Sequence, residues 1–228
     1  MGVAYNPACV TSGLVLYLDA GNVKSYPGSG VTWTDLSGYG NNAILTSGPT
    51  FDGANGGSIL FDGIDDTVPF YAPYLGAVAS VEMWVKLGAA YSGKMFMGWN
   101  AYDVWCYGGA IGFNTANADV YGISSATVTA LNCVGNWAHY LFEFRSDVSY
   151  VNNKIYINTN QQTLSQQLGG ENTSYRNFNS GNGNISGWRF DINYRIPMNC
   201  SVFKIYNRSL SSIEILQNFN ALRGRYGL

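Results

Sequence analysis

The sequence predicts an all-β fold, an antiparallel β-sandwich of the jelly-roll type with one short helix at its C-terminal end. Three observations lead there. Apolar and polar residues alternate with period two over many short stretches, the mark of half-buried strands. Twenty-eight glycines, with asparagine in similar abundance, separate those stretches with turn chemistry. One segment alone, near the C-terminus, carries a helical apolar stripe with its own start and stop signals.

The alternation is plainest over 79–87. Val81, Met83, Val85 and Leu87 share one face, and Ser80, Glu82, Trp84 and Lys86 the other. Over 137–145, Ala138, Tyr140, Phe142 and Phe144 oppose Trp137, His139, Leu141, Glu143 and Arg145. Further strands are expected over 14–19, 57–61, 67–71, 94–98, 103–107, 110–114, 118–123, 153–158, 185–191 and 200–207. Turns rich in Gly, Asn, Asp and Pro fall at 26–30, 38–42, 55–57 and 177–183. Many short strands so spaced define a sandwich or jelly roll. The helix is expected over 211–223. Ser211 and Glu214 form a capping box, Leu210 staples onto Ile215, and Ile215, Leu216, Phe219 and Leu222 make the stripe, with Gly224 as the stop. Without an internal repeat or a linker, 1–228 reads as a single domain, with 1–12 an N-terminal extension.

Charge narrows the function. Twelve basic and fourteen acidic residues leave a net charge of −2, and only 11% of residues are charged. Such a surface has no basic face for a phosphate backbone, which argues against nucleic acid as a partner. Hydrophobic residues at 46% and aromatics at 15% argue against disorder. No run of 18 apolar residues occurs, so membrane insertion is not expected. The start lacks a basic region, and the apolar run 14–18 ends at Asp19, which reads as a strand and not a signal peptide. The expectation is synthesis in a cytoplasm or loss of a leader. Cys9, Cys106, Cys133 and Cys200 are far apart and include no Cys-x-x-Cys, so zinc is not expected. Buried free thiols are favoured over the one or two disulfides that four cysteines allow.

Several motifs carry a family resemblance. Gly13-Leu14-Val15-Leu16-Tyr17-Leu18-Asp19-Ala20-Gly21-Asn22 resembles the opening strand of laminin-G-like modules in the concanavalin A-like lectin/glucanase superfamily. The turns Asp35-Leu36-Ser37-Gly38-Tyr39-Gly40-Asn41-Asn42 and Phe61-Asp62-Gly63-Ile64-Asp65-Asp66 are similar to two turns of that family. So are Asn136-Trp137 with Lys154-Ile155-Tyr156-Ile157-Asn158, and Lys204-Ile205-Tyr206-Asn207-Arg208-Ser209-Leu210-Ser211. The matches run from about residue 13 to 224 and imply a concanavalin A-like jelly roll. Ala4-Tyr5-Asn6-Pro7, Asp19-Ala20-Gly21-Asn22 with Ser25-Tyr26-Pro27-Gly28, and the ending 217–227 look like stand-alone modules of tailed-phage virion proteins. That narrower resemblance implies a non-enzymatic virion structural protein, a capsid decoration or fibre module. Its partners would be capsid or other virion proteins, or its own copies, with adhesion to cell-surface glycans. It would be assembled in the host cytoplasm and be extracellular on released particles. The alternative is a free carbohydrate-binding lectin or an accessory module of a polysaccharide-active system.

The residues favour binding over catalysis. A retaining glycosidase needs two carboxylates about 5–5.5 Å apart. None of the four glutamates, Glu82, Glu143, Glu171 and Glu214, has an acid two positions away, and Glu214 serves the helix cap. The single histidine, His139, lies mid-strand with no serine elbow in the sequence, so it reads as structural. Gly38, Gly40 and Gly63 mark turns needing positive φ, and Asp35, Asp62 and Asp65 are expected to brace those turns through backbone N–H groups. The resemblance raises structural calcium, but Ser201 stands where related modules carry an acid. No cofactor or metal is therefore expected; were calcium held, Asp35 and Asp62 would be its ligands. The candidate glycan or partner contacts are Trp99, Asn100, Tyr102, Trp105 and Tyr107, and Tyr175, Arg176 and Asn177. Aromatic faces and short amides in those stretches suit sugar C–H faces and hydroxyls. The competing use of Trp84 and Trp105 is to fill the space between the sheets.

Overall fold

The computed structural model describes residues 8–99, 101–115, 118–170, 178, 181–188 and 191–228. Among the described residues seventeen strands follow in order: β1 (Leu14–Asp19), β2 (Thr32–Trp33), β3 (Ala43–Ile44), β4 (Thr50–Asp52), β5 (Ser58–Asp62), β6 (Val68–Tyr71), β7 (Val78–Leu87), β8 (Met95–Trp99), β9 (Tyr102–Tyr107), β10 (Ala110–Asn114), β11 (Val120–Ile123), β12 (Trp137–Arg145), β13 (Lys154–Ile157), β14 (Asn160–Gln161), β15 (Ser165–Leu168), β16 (Asn182–Ile185) and β17 (Pro197–Tyr206). Helix α1 (Ser125–Ala130) precedes β12, and α2 (Ser212–Leu222) follows β17. The first sheet runs β14-β13-β12-β7-β17-β5-β4, with β1 also paired to β17; the second runs β15-β11-β10-β9-β8-β16-β6; and β2 pairs with β3 as a short ribbon. Pairing within both sheets is antiparallel. The chain is the β-sandwich expected from its sequence, with the C-terminal helix in place.

Side-chain alternation builds the core between the sheets. Val81, Met83, Val85 and Leu87 of β7 and Tyr140, Phe142 and Phe144 of β12 meet Phe96, Met97, Val104, Ile111 and Phe113 of the second sheet. Phe144 is the hub, edge-on to Trp99 at 4.8 Å, Tyr102 at 5.0 Å and Phe113 at 4.9 Å between ring centroids. Edge-to-face contacts of this kind each add roughly 0.5–1.5 kcal/mol beyond area burial.

The structure departs from simple period-two logic on the outer face of the first sheet. Ser80, Glu82, Trp84, His139, Leu141 and Glu143 are buried although they oppose the core. Helix α2 and the segments around Val10 and Tyr226 pack over Trp84, His139 and Leu141, Ser80 Oγ donates to the Arg208 carbonyl, and Glu143 pairs with Lys154. Trp84 does not fill the space between sheets; its ring stacks against Tyr226 at 4.2 Å and Phe219 at 5.5 Å beneath the helix. The cover is fixed by polar groups. Lys204 Nζ donates to Glu82 Oε1 at 2.9 Å, Asn218 Nδ2 donates to Glu82 Oε2 at 2.6 Å, and His139 Nε2 lies 3.4 Å from Glu82 Oε1. Asn218 Oδ1 accepts from the Val10 backbone N–H, which ties in the N-terminal segment. Burial alone would push the Glu82 pKa up; Lys204 and His139 outweigh it and hold the carboxyl down at about 2. Further along, Arg225 grips Asp19 through both nitrogens, at 2.6 and 3.0 Å. Tyr226 Oη donates to Ser201 Oγ at 2.8 Å.

The capping box of α2 is complete: Ser211 Oγ accepts from the Glu214 N–H, and the Glu214 carboxylate accepts from the Ser211 N–H. Arg208 adds a two-point bridge to Glu214, at 3.0 and 2.6 Å. Other boundaries moved for local reasons. The strand expected over 185–191 is not found past Ile185 among the described residues: β16 covers Asn182–Ile185, and Ser186 and Gly187, with φ of 61° and 98°, end the extended run. Strand β17 begins earlier, at Pro197, where a first-position proline costs no ladder bond. Helix α1 is an addition, one turn and a half capped by Ser124 Oγ, too short to leave a periodic signal. The four cysteines are unpaired; Cys106, Cys133 and Cys200 are buried and Cys9 is partly exposed, its Sγ accepting from Lys204 Nζ at 3.3 Å.

Removing the cation under the helix tests this arrangement. Lys204→Met strands the Glu82 carboxylate and is expected to cost about 3–5 kcal/mol in urea unfolding. Because the folded Glu82 pKa lies below its ordinary value, the stability it lends is full above about pH 4.5 and is lost as pH falls through about 2. An acid titration following Trp84 fluorescence should show that loss in the wild type and not in Glu82→Gln.

Candidate functional site: a ring-walled cleft on the second sheet

The second sheet carries a cleft of about 160 Å³ lined by Met95, Trp105, Asn114, Ala118, Trp188 and Tyr194. Strand parity sets it up. In β9, Tyr102, Val104 and Cys106 enter the core, which turns Asp103, Trp105 and Tyr107 outward. In β10, Ile111 and Phe113 point in, so Asn114 points out beside Asp103, its register partner. Two glycines clear the ground beside Trp105. Its cross-strand neighbour is Gly112, whose own neighbour on β11 is Gly122. A Cβ at Gly112 or Gly122 would lie 2.5 or 2.1 Å from a carbonyl oxygen of the facing strand, so the backbones approach where no side chain fits. Tyr194 stands edge-on to Trp105 at 6.3 Å and to Trp188 at 6.2 Å, and Tyr107 tilts against Trp105 at 5.0 Å.

Two polar atoms at this cleft are buried without a hydrogen-bond partner: Asn114 Oδ1 and Trp105 Nε1. One is an acceptor and the other a donor. The Asn114 amide is anchored from behind, its Nδ2 donating to both Asp103 oxygens at 3.3 and 3.0 Å. Asp103 is fully buried, and burial pushes its pKa well above the ordinary carboxylate range, with Asp119 adding to the rise and the Asn114 amide opposing it. Asp119 is held in turn by the Thr115 N–H and hydroxyl.

The contacts expected from the sequence divide. Trp105 and Tyr107 lie on the outer face, Trp105 partly and Tyr107 largely exposed. Trp99 and Tyr102 do not; they are buried between the sheets against Phe144 and Phe178, because their parity in β8 and β9 turns them inward. That corrects the reading of Trp99 and Tyr102 as surface contacts. Asn100, Tyr175, Arg176 and Asn177 lie outside the described residues. Sequence reasoning took 99–107 as one aromatic patch; counting alternate positions along β9 would have split it. Asn114, Trp188 and Tyr194 were missed. Asn114 closes a strand whose inward partners, Ile111 and Phe113, mark its outward face; the other two follow β16 with no periodic signal.

A second cleft, of about 290 Å³, is lined by Tyr121, Val151, Asn153, Gln161, Gln162, Thr163 and Leu164. Its amides are partly occupied within the chain: Gln161 Oε1 accepts from Tyr156, Gln162 Nε2 donates to the Asn160 carbonyl, and Asn153 bonds the Tyr102 hydroxyl and the Arg145 N–H.

The carboxylates serve structure. Asp35 accepts from the N–H groups of Tyr17, Ser37 and Asn41, which is the bracing expected for it. Gly38, Gly40 and Gly63 have φ of 95°, 74° and 79°, as the turns require. Asp62 gathers with Asp65 and Asp66, their ligand atoms within 4.8 Å of one another, and not with Asp35. Of the pair Asp35 and Asp62, Asp62 thus belongs among the described residues to a group that could hold a cation, and Asp35 does not. Asp66 already accepts from the Asp62 N–H, and Ser201 spends its hydroxyl on the Gly57 carbonyl. Glu82 and Glu143 are buried, and Glu214 caps its helix. His139 is wedged between Trp84 and Phe219, as a structural imidazole.

No protein-family model matches the chain. No curated protein matches it. Solved structures do. The receptor-binding domain of botulinum neurotoxin C/D mosaic serotype aligns with a TM-score of 0.61 at 12% identity, over 91% of this chain and 51% of that one. The botulinum neurotoxin serotype D ligand-binding domain in complex with N-acetylneuraminic acid aligns with a TM-score of 0.62 at 12% identity, over 91% and 50%. The binding domain of botulinum neurotoxin DC in complex with SialylT gives 0.63 at 13% identity, over 93% and 52%. This chain spans about half the length of each, and at such identity the likeness establishes a shared β-sandwich fold.

The buried carboxyl behind the cleft has a stability signature. A carboxyl whose folded pKa is raised weakens the fold as pH climbs through that pKa and has no such effect below its ordinary pKa. Asp103→Asn is therefore expected to melt above the wild type at pH 8, with the gap closing toward pH 4. Calorimetry at the two pH values checks it.

Proposed function

We propose that this chain is a non-enzymatic binding module that holds a glycan in the ring-walled cleft of its second sheet. The observation that carries the reading is the pairing of an unsatisfied acceptor, Asn114 Oδ1, and an unsatisfied donor, Trp105 Nε1, at a cleft walled by Trp105, Trp188 and Tyr194. Sugars present an apolar C–H face for rings and hydroxyls that both donate and accept. The solved sandwiches of like fold include binding domains in complex with N-acetylneuraminic acid and SialylT, which supports the class of ligand. The burial of Glu82 and Glu143 and the turn location of Asp62, Asp65 and Asp66, apart from both clefts, support a role without turnover. Trp105→Ala is expected to abolish retention on a glycan array while shifting the melting temperature by only a few degrees. An array on which wild type and variant retain the same glycans equally would overturn the site.

The setting we propose is the surface of a tailed-phage virion, as a capsid decoration or fibre module docked on other virion proteins or on its own copies. The resemblance of 19–28 and 217–227 to such modules supports it. In the structure those segments meet: Asp19 takes Arg225, and Tyr226 covers Trp84. The alternative is a free lectin or an accessory module of a polysaccharide-active system. Mass spectrometry of purified particles separates the two, since the virion reading requires the chain's peptides in the particle and the alternative requires their absence.

A further inference from the structure

We infer that the cleft takes an uncharged sugar unit through its hydroxyls and discriminates against carboxylated sugars. The inference rests on the glycan reading above and goes beyond it to the class of sugar. Asn114 sets the rule. Both Asp103 oxygens draw its Nδ2 rearward, so the end left for a ligand is the carbonyl, which only accepts. Asp103 is itself immobilised: it is fully buried, and its neighbour across the ladder is Gly98, where a Cβ would come within 2.7 Å of the Asp103 Cβ. A hydroxyl donates to Asn114 Oδ1, and the same or an adjacent hydroxyl accepts from Trp105 Nε1. A carboxylate offers acceptors alone. Placed there, it would satisfy Trp105 but set an oxygen against the Asn114 carbonyl, which has no donor to offer it. Desolvating a charge against such a wall is unfavourable. The cleft's 160 Å³ is below the roughly 300–1,000 Å³ of sites that enclose drug-sized ligands, which fits one ring of a longer glycan.

The test is a titration of the full chain with methyl glucoside, methyl galactoside, N-acetylglucosamine and N-acetylneuraminic acid, read by the indole N–H resonances. The expected result is saturable binding of at least one neutral sugar, with N-acetylneuraminic acid weaker by about ten-fold or more. Trp105→Phe, which keeps a ring and removes the donor, should weaken the neutral sugar by roughly 2- to 10-fold, the worth of one hydrogen bond. Its melting curve serves as the folding control. N-acetylneuraminic acid binding as tightly as the neutral sugars, with Trp105 responding, would overturn this inference and leave the glycan reading standing. An unchanged neutral affinity in Trp105→Phe would also overturn it. No response of the Trp105 resonance to any of the four sugars would overturn the glycan reading itself.

Discussion

Glu82 has no contact with water, and the cover of the first sheet is organised around its charge. Lys204, Asn218 and His139 converge on its two oxygens from β17, α2 and β12. An ion pair so buried is a weak source of net stability, because both charges lose their hydration. Its effect is to make alternatives costly. If α2 shifts along the sheet, Asn218 leaves Glu82 and Val10 together, and two buried polar groups lose their partners at once. The helix therefore has one seat, and Trp84, Phe219 and Tyr226 then stack in that seat as apolar filling.

The two sheets are consequently unlike. One has its outer face roofed by α2 and the segments around Val10 and Tyr226. The other leaves Trp105, Tyr107, Tyr194 and Trp188 on its outer face, with glycines between strands β10 and β11 in place of side chains. A sandwich needs only its inner faces to be apolar. An outer face with partly exposed rings is not required by folding, and the open cleft those rings wall is why the binding reading settles there and not under α2.

How much of this the sequence disclosed follows from the range of each signal. Period-two alternation and the Ser211–Glu214 box are local, so the strands over 79–87 and 137–145 and the helix were legible almost to the residue. The turn acids were legible too, because Asp35 braces groups within a few residues of itself as well as Tyr17 across the ribbon. What lay hidden was non-local. Nothing in 79–87 tells that Glu82 will meet a lysine from position 204 and an asparagine from 218. Nor does composition separate Tyr102 from Trp105, which differ in parity and end on opposite sides of one strand. Asn114 joined the cleft only because β10 pairs with β9 in the register that sets it against Asp103.

The location of the chain ends carries a consequence for attachment. The Ala8 carbonyl accepts from Gln217 of α2, and Leu228 returns to Arg223, so residue 8 and Leu228 both lie on the roofed side of the molecule. The ring-walled cleft opens on the opposite side. A tether placed at Leu228 to fix the protein to a solid support would be held at the back while the cleft looks outward. The described residues thus have a covered side and an open side, and immobilisation through the covered one would leave the cleft free.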